Sequence, residues 1–194
     1  MSEASPWVRR FAGLVPAGAA VLDLACGSGR HARFFAARGC RVLALDRDPA
    51  CAASFASVPN VDFMLADLEG APWPLAQRRF AAIVVTNYLH RPLFARLPSA
   101  LEPGGVLLYE TFAVGQERYG RPANPDFLLR PGELLEAFAS SLRIVAYEDG
   151  TVGDPVSARL QRLCAMRLGA ERGVGSDAPV TAALDAPSGA PPAQ

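Results

Sequence analysis

The chain has 194 residues, 51% of them hydrophobic, and balances 19 basic against 19 acidic side chains. That suits one buried core and leaves no global basic field to recruit nucleic acid or a membrane surface. Every basic residue is arginine, so a P-loop lysine, a pyridoxal Schiff base and a kinase-type phosphate lysine are all excluded.

Four cysteines, Cys26, Cys40, Cys51 and Cys164, show no C-x-x-C spacing, and with only two histidines no cluster has metal-ligand spacing. Reduced core cysteines and no metal are expected. No run approaches the roughly 20 apolar residues that span a bilayer, and the amino terminus shows no cleavage-site pattern. A cytoplasmic protein with no membrane partner is the expectation.

Taken in order, Trp7 to Leu14 reads as a short leading helix. Val21 to Leu24 is an apolar strand that breaks into the small residues Ala25-Cys26-Gly27-Ser28-Gly29. Arg30 to Arg38 then carries Ala32, Phe35 and Ala36 on one face, with Gly39 as its stop. Cys40 to Leu45 is a second strand ending in Asp46, Pro49 opens a weaker helix through Ser57, and Val61 to Ala66 is a third strand ending in Asp67. Phe80 to Asn87 is a fourth strand, Pro92 to Leu101 a helix, and Pro103-Gly104-Gly105 a turn into a buried strand at Val106 to Tyr109.

Pro131 to Ser140 is the next helix, with Pro131 at a first-turn position. Leu142 to Glu148 and Arg159 to Leu168 are strands joined closely enough to pair antiparallel. Alternating strands and helices imply an α/β fold, a Rossmann-like, doubly wound, mostly parallel seven-stranded sheet ending in an antiparallel carboxy-terminal hairpin. Residues 1–168 make one domain; residues 169–194, rich in Ala, Pro and Gly, read as a disordered tail.

The turn at residues 25–29 carries the chemistry. Glycines let backbone approach a ligand, and the helix start behind them offers unpaired N–H groups. Asp23, four residues ahead of Gly27, would repel a pyrophosphate and attract an ammonium, which favours S-adenosylmethionine over a dinucleotide. Asp46 suits ribose hydroxyls and Asp67 an adenine amine. The looser G-x-G-x-x-A pattern at Gly27 to Ala32 leaves an NAD(P)-dependent oxidoreductase as an alternative, and a non-catalytic S-adenosyl-ligand-binding module as another.

The Val21–Gly29 run, the strand to Asp46, Asp67, the Phe80–Asn87 strand and Leu101–Leu108, in that order and spacing, resemble the motifs of class I S-adenosylmethionine-dependent methyltransferases. The compact size and the Asp23–Arg30 turn look most like the small-molecule branch that includes tellurite-resistance methyltransferases. The resemblance implies that Asp23, Ala25, Gly27 and Gly29 line the methionine end. It places Asp46 on the ribose with Arg47 in the same cofactor set, Asp67 and Leu68 at the adenine, and Asn87 and Tyr88 beside the sulfonium. Ala25 stands where many members have glycine. Strand four lacks the Asn/Asp-Pro-Pro-aromatic tetrapeptide and the Pro-Cys nucleophile of nucleic acid and protein methylation, so a small-molecule acceptor is expected.

Open α/β sheets bind ligands beyond the carboxyl ends of their strands. Two segments follow those ends, Thr86 to Pro92 and the long stretch Glu110 to Arg130, read as a substrate lid. His90 and Glu110 are candidate bases, and Tyr119, with Tyr88, Tyr109 and Phe112, a candidate cation–π partner of the sulfonium. Arg91, Arg118, Arg121 and Arg130 are candidates to clamp an anionic acceptor. Each has an ordinary alternative: a capping histidine, solvated arginines, packed aromatics. The chain is expected to act as a monomer or homodimer.

Overall fold

The computed structural model describes residues 3–169, and the expected disordered tail, apart from Gly169, lies outside them. Seven strands form one sheet in the order β3-β2-β1-β4-β5-β7-β6. They are β1 (Ala20–Leu24), β2 (Arg41–Asp46), β3 (Val61–Leu65), β4 (Phe80–Thr86), β5 (Leu101–Phe112), β6 (Arg143–Val152) and β7 (Ala158–Met166). The first five are parallel; β7 runs antiparallel to both β5 and β6. The chain order reverses between β1 and β4, which opens a crevice beyond their carboxyl ends.

Alternation along each strand sorts the core into two layers. Leu22, Leu24, Ile83, Val85, Leu107 and Tyr109 face α3 (Leu97–Ala100) and α4 (Glu133–Phe138), where Leu97, Leu134 and Phe138 meet them. Val21, Val42, Val84, Val106 and Leu108 face α1 (Pro6–Phe11) and α2 (Arg30–Ala37), whose Trp7, Phe11 and Phe35 close that layer. Period two therefore assigns Asp23 to the α1/α2 layer and Thr111 to the α3/α4 layer.

The helices are shorter than the sequence suggests. Between Pro92 and Leu101 the chain forms a 3-10 turn at Arg91–Leu93 and the single turn α3, because Pro98 cannot donate a ladder hydrogen bond. Pro49–Phe55 is 3-10 rather than α, and α4 starts only at Glu133 because Gly132 is left-handed at φ 74°. The strands are longer. Pro103-Gly104-Gly105 lies within β5, where a register shift between Phe80 and Ala82 accommodates it, and β6 continues to Val152.

The stretch read as a lid begins after Phe112. It folds back through 3-10 turns at Gln116–Arg118 and Pro125–Phe127, and Leu129 N–H returns to Phe112 O at 2.9 Å. Two buried glutamines pin it. Gln116 accepts the Arg159 N–H at 2.8 Å, and Gln161 donates to Arg130 O at 2.6 Å.

Candidate functional site

β1 ends at Leu24, and Ala25 turns out of it with φ 54°; β4 ends at Thr86, and Asn87 turns with φ 55°. Left-handed non-glycine backbone costs of order 1–3 kcal/mol and is kept where surrounding structure enforces it. Cys26 N–H donates to Leu45 O and Asn87 N–H to Glu110 O, so each turn is tied to the next strand. The two turns flank a cavity of about 370 Å³. Its floor is Ala25, Ala66 and Leu68, and its polar groups are Asp46, Arg47, Asp67, Glu69, Asn87 and Thr111. Tyr88, Leu89 and Phe112 supply apolar wall, and Pro122 and Phe127 reach over from the long loop.

Gly27 and Gly29 serve different purposes. Gly27 has φ 51° and nothing within 4 Å of where a Cβ would stand, so its smallness answers to the left-handed backbone rather than to a neighbouring side chain. A Cβ on Gly29 would instead lie 2.2 Å from the Phe55 ring, which stacks on Phe63. Gly29 is therefore small to admit Phe55, and neither it nor Gly27 is among the residues that line the cavity. Asp46 organises the turn: its Oδ2 accepts the Gly27 N–H at 2.8 Å and its Oδ1 the Asp48 N–H at 3.0 Å. Each oxygen keeps lone-pair capacity for a further donor.

Asp23 does not face the cavity. It is 1% exposed, and its Oδ2 accepts the Ala32 N–H at 2.9 Å, capping the first turn of α2. Burial pushes its carboxyl up to about 7, against the lowering pull of that hydrogen bond and of Arg30. The physical reason is its parity on β1, which turns it to the α2 side of the sheet. Its link to the crevice is indirect, through the start of the helix behind the glycine turn.

Beside it, His31 is equally buried and bridges Ser5 N–H, which its Nε2 accepts at 3.2 Å, to Thr86 Oγ1 at 3.3 Å from Nδ1. Burial lowers its pKa to about 4. Sequence reading passed over His31; its spacing of one residue from Arg30 at a helix start was the available signal.

At the far wall, Asp67 Oδ1 accepts the Glu69 N–H at 2.9 Å, and the Glu69 and Gly70 amides hold its carboxyl below the usual range. Burial and the neighbouring Glu69 keep the Tyr88 phenol protonated well above its ordinary pKa. Glu69, Thr111, Pro122 and Phe127 line the cavity and were missed, since none belongs to a spacing pattern.

The other candidates are placed elsewhere. Glu110 Oε2 accepts from Arg162 Nε at 2.6 Å and points to the α1/α2 side, in a network through Glu148 to Arg10. Arg91 is not open to an acceptor: it binds Glu133 at 2.6 and 3.0 Å and the carbonyls of Asp126 and Leu128 at 2.9 Å each, clamping the long loop. Although burial acts to raise it, these arginine bonds and the Arg130 N–H hold the Glu133 carboxyl below its usual range.

Arg130 also reaches Glu133, at 3.5 Å, while Arg118, Arg121 and Tyr119 are exposed and do not line the cavity. His90 is half-buried and outside the lining, near enough to Asp67 to be felt electrostatically. Tyr109 is 2% exposed, packed on Phe94 and Phe138, with its hydroxyl donating to Tyr88 O at 3.0 Å, which excludes it from a sulfonium contact. Among the described residues no group of three or more His, Cys, Asp or Glu side chains could hold a metal, and no helix is long and apolar enough to cross a membrane.

Residues 21–105, which supply β1 to β4, the glycine turn and both left-handed corners, match the family described as Methyltransferase domain. That segment is similar to a methyltransferase domain. A malonyl-[acyl-carrier protein] O-methyltransferase of Serratia marcescens is 34% identical over 102 residues, 50% of this chain and 40% of that protein. The chain thus matches less than half the length of that relative.

The methyltransferase domain fold extends beyond the matched segment. TehB from Haemophilus influenzae superposes with a TM-score of 0.67 at 19% identity, covering 83% of this chain and 61% of that one. A TehB-like SAM-dependent methyltransferase from Corynebacterium glutamicum gives 0.60 at 20% identity, covering 83% and 86%. The fold is the Rossmann-like class I methyltransferase fold, with the antiparallel β7 that nicotinamide domains do not usually carry.

The cavity fits S-adenosylmethionine on its own chemistry. Its apolar floor of Ala25, Ala66 and Leu68 suits the flat face of a nucleoside. Acceptor carboxylates at the tips of β2 and β3 match ribose hydroxyls and an amine.

Proposed function

We propose that this chain is an S-adenosylmethionine-dependent methyltransferase acting on a small-molecule acceptor in the cytoplasm. The observation that carries the reading is the crevice between the left-handed corners at Ala25 and Asn87, floored by Ala25, Ala66 and Leu68 and rimmed by Asp46 and Asp67. S-adenosylmethionine, when bound, supplies an electrophilic methyl group on a cationic sulfur.

The residues of the chain then have positioning roles. Asp46 accepts from the ribose with the lone pairs left over from Gly27 and Asp48, and Arg47 flanks it. Asp67 and Leu68 take the adenine, the first as acceptor and the second as apolar floor. Asn87 and Tyr88 border the reactive end, where a neutral phenol contributes ring surface rather than negative charge. Phe112, Pro122 and Phe127 exclude water there.

Rate enhancement rests on alignment in a dry pocket, since an in-line displacement needs little covalent help from the protein. His90, outside the lining but within electrostatic reach of Asp67, is the candidate to take a proton from a protonated nucleophile. The malonyl relative acts on a carrier-protein-bound acid by its name; the free small molecule is favoured here because the chain as a whole balances 19 basic against 19 acidic side chains and so has no net field to draw a macromolecule. The purified protein incubated with methyl-labelled S-adenosylmethionine and a metabolite extract tests the reading. Label in a small molecule supports it; label in protein or RNA, or in nothing, rejects it.

A further inference from the structure

A second cavity, of about 350 Å³, lies on the α1/α2 side of the sheet and shares Asn87 and Phe112 with the first. A molecule in it would meet the first cavity at those two residues, at the end of β4. Its walls carry four charged side chains, Glu3, Arg9, Arg30 and Glu110.

Three of the four are neutralised. Arg9 pairs with Glu3 at 2.9 Å, and Glu110 with Arg162 at 2.6 Å. Arg30 is half-buried and has no hydrogen-bond or ion-pair partner among the described residues. Asp23, the buried carboxylate that feels its charge, is spent on the Ala32 amide, and its burial leaves it only partly ionised near neutral pH. A partly buried guanidinium without a partner leaves a fork of donors facing the space it lines.

We propose that this second cavity holds the methyl acceptor and that Arg30 recognises a carboxylate or similar oxyanion on it. The proposal rests on the methyltransferase reading and replaces the long-loop arginines by one from the glycine-turn helix. Apolar wall from Ala4, Pro6, Phe112 and Leu160 suits a hydrophobic body behind the anionic group.

The test uses the full chain saturated with S-adenosylhomocysteine and ligand-observed NMR on matched pairs, benzoate with benzamide and octanoate with octanamide. The wild type should transfer saturation to the carboxylate of each pair in preference to the amide. Arg30→Gln should lose that preference, with carboxylate binding about tenfold weaker, and Arg30→Lys should retain part of it. Equal transfer to both members, transfer to neither, or a preference that survives Arg30→Gln would overturn the proposal.

Calorimetry with S-adenosylhomocysteine on the same samples separates the two readings. Unchanged affinity in Arg30→Gln supports assignment to the acceptor, and a loss confined to the variant assigns Arg30 to the cofactor and overturns it. No binding by the wild type would instead sink the methyltransferase reading.

Discussion

Asp46, at the tip of β2, holds the glycine turn at the tip of β1 through a 2.8 Å hydrogen bond from the Gly27 N–H. A residue expected only to touch ribose therefore also shapes the floor under the methionine end. Asp46→Ala should weaken S-adenosylhomocysteine binding by about 1–3 kcal/mol, and Asp46→Asn, which keeps an acceptor for Gly27, by less. Calorimetry checks both; equal losses in the two variants would show that the turn anchor does not matter.

The two glycines of the turn should separate by phenotype. Gly27→Ala meets open space, so its costs are the left-handed strain of roughly 1–2 kcal/mol and, with the cofactor seated as proposed, a methyl against the ligand. Gly29→Ala adds a collision with Phe55, costing about 1–3 kcal/mol more. Gly29→Ala should lower the melting temperature more than Gly27→Ala and be partly rescued by Phe55→Ala. Gly27→Ala should lower ligand affinity more per unit of stability lost.

Asp23 and His31 make opposite demands on pH. The folded-state pKa of Asp23, about 7, is above its unfolded value of 3.8, so its contribution is complete below pH 3.8 and lost as pH rises toward 7. The folded-state pKa of His31, about 4, is below its unfolded value of 6.5, so its contribution is complete above pH 6.5 and lost as pH falls toward 4. Near pH 5 the folded and unfolded chains hold the same number of protons on this pair, and the two slopes cancel.

Asp23→Asn should therefore unmask a stability that rises with pH between 4 and 6.5, by up to about 1.4 kcal/mol per pH unit. His31→Gln should unmask one that falls over the same window. Urea unfolding at several pH values reads both slopes; a flat profile in either variant would contradict the burial argument.

Arg91 and Glu133 anchor the long loop that carries Pro122 and Phe127. Arg91→Ala leaves a 4% exposed carboxylate with two fewer donated hydrogen bonds, and the partial exposure of Arg91 limits the loss to about 1–2 kcal/mol. Hydrogen exchange should rise in residues 113–130 and stay unchanged in β1 and β2. Protection unaltered in the loop would remove the clamp from the account.

Much of this arrangement was legible in the residues. Apolar runs broken by small residues located β1, β2, β4 and the glycine turn, and the acids at positions 46 and 67 mark strand tips that border the cavity. Parity was the signal left unused. Asp23 shares a face with Val21, and Glu110 with Leu108, so both were bound for the α1/α2 layer rather than the crevice.

Long-range pairs could not be read at all. Nothing local ties Arg91 to Glu133, or Arg162 to Glu110, and four arginines spread over two loops look alike until their partners are known. Helix lengths failed where prolines at 92, 98 and 131 and the left-handed Gly132 shortened the regular stretches.

A crystal structure of the protein soaked with S-adenosylhomocysteine tests the central claim most directly. The account predicts the ligand in the crevice between Ala25 and Asn87, with its amino-acid end over Gly27, its ribose at Asp46, and Asp23 still bound to the Ala32 amide. An empty crevice at saturating ligand, or a ligand seated wholly in the cavity beside Arg30, would contradict it.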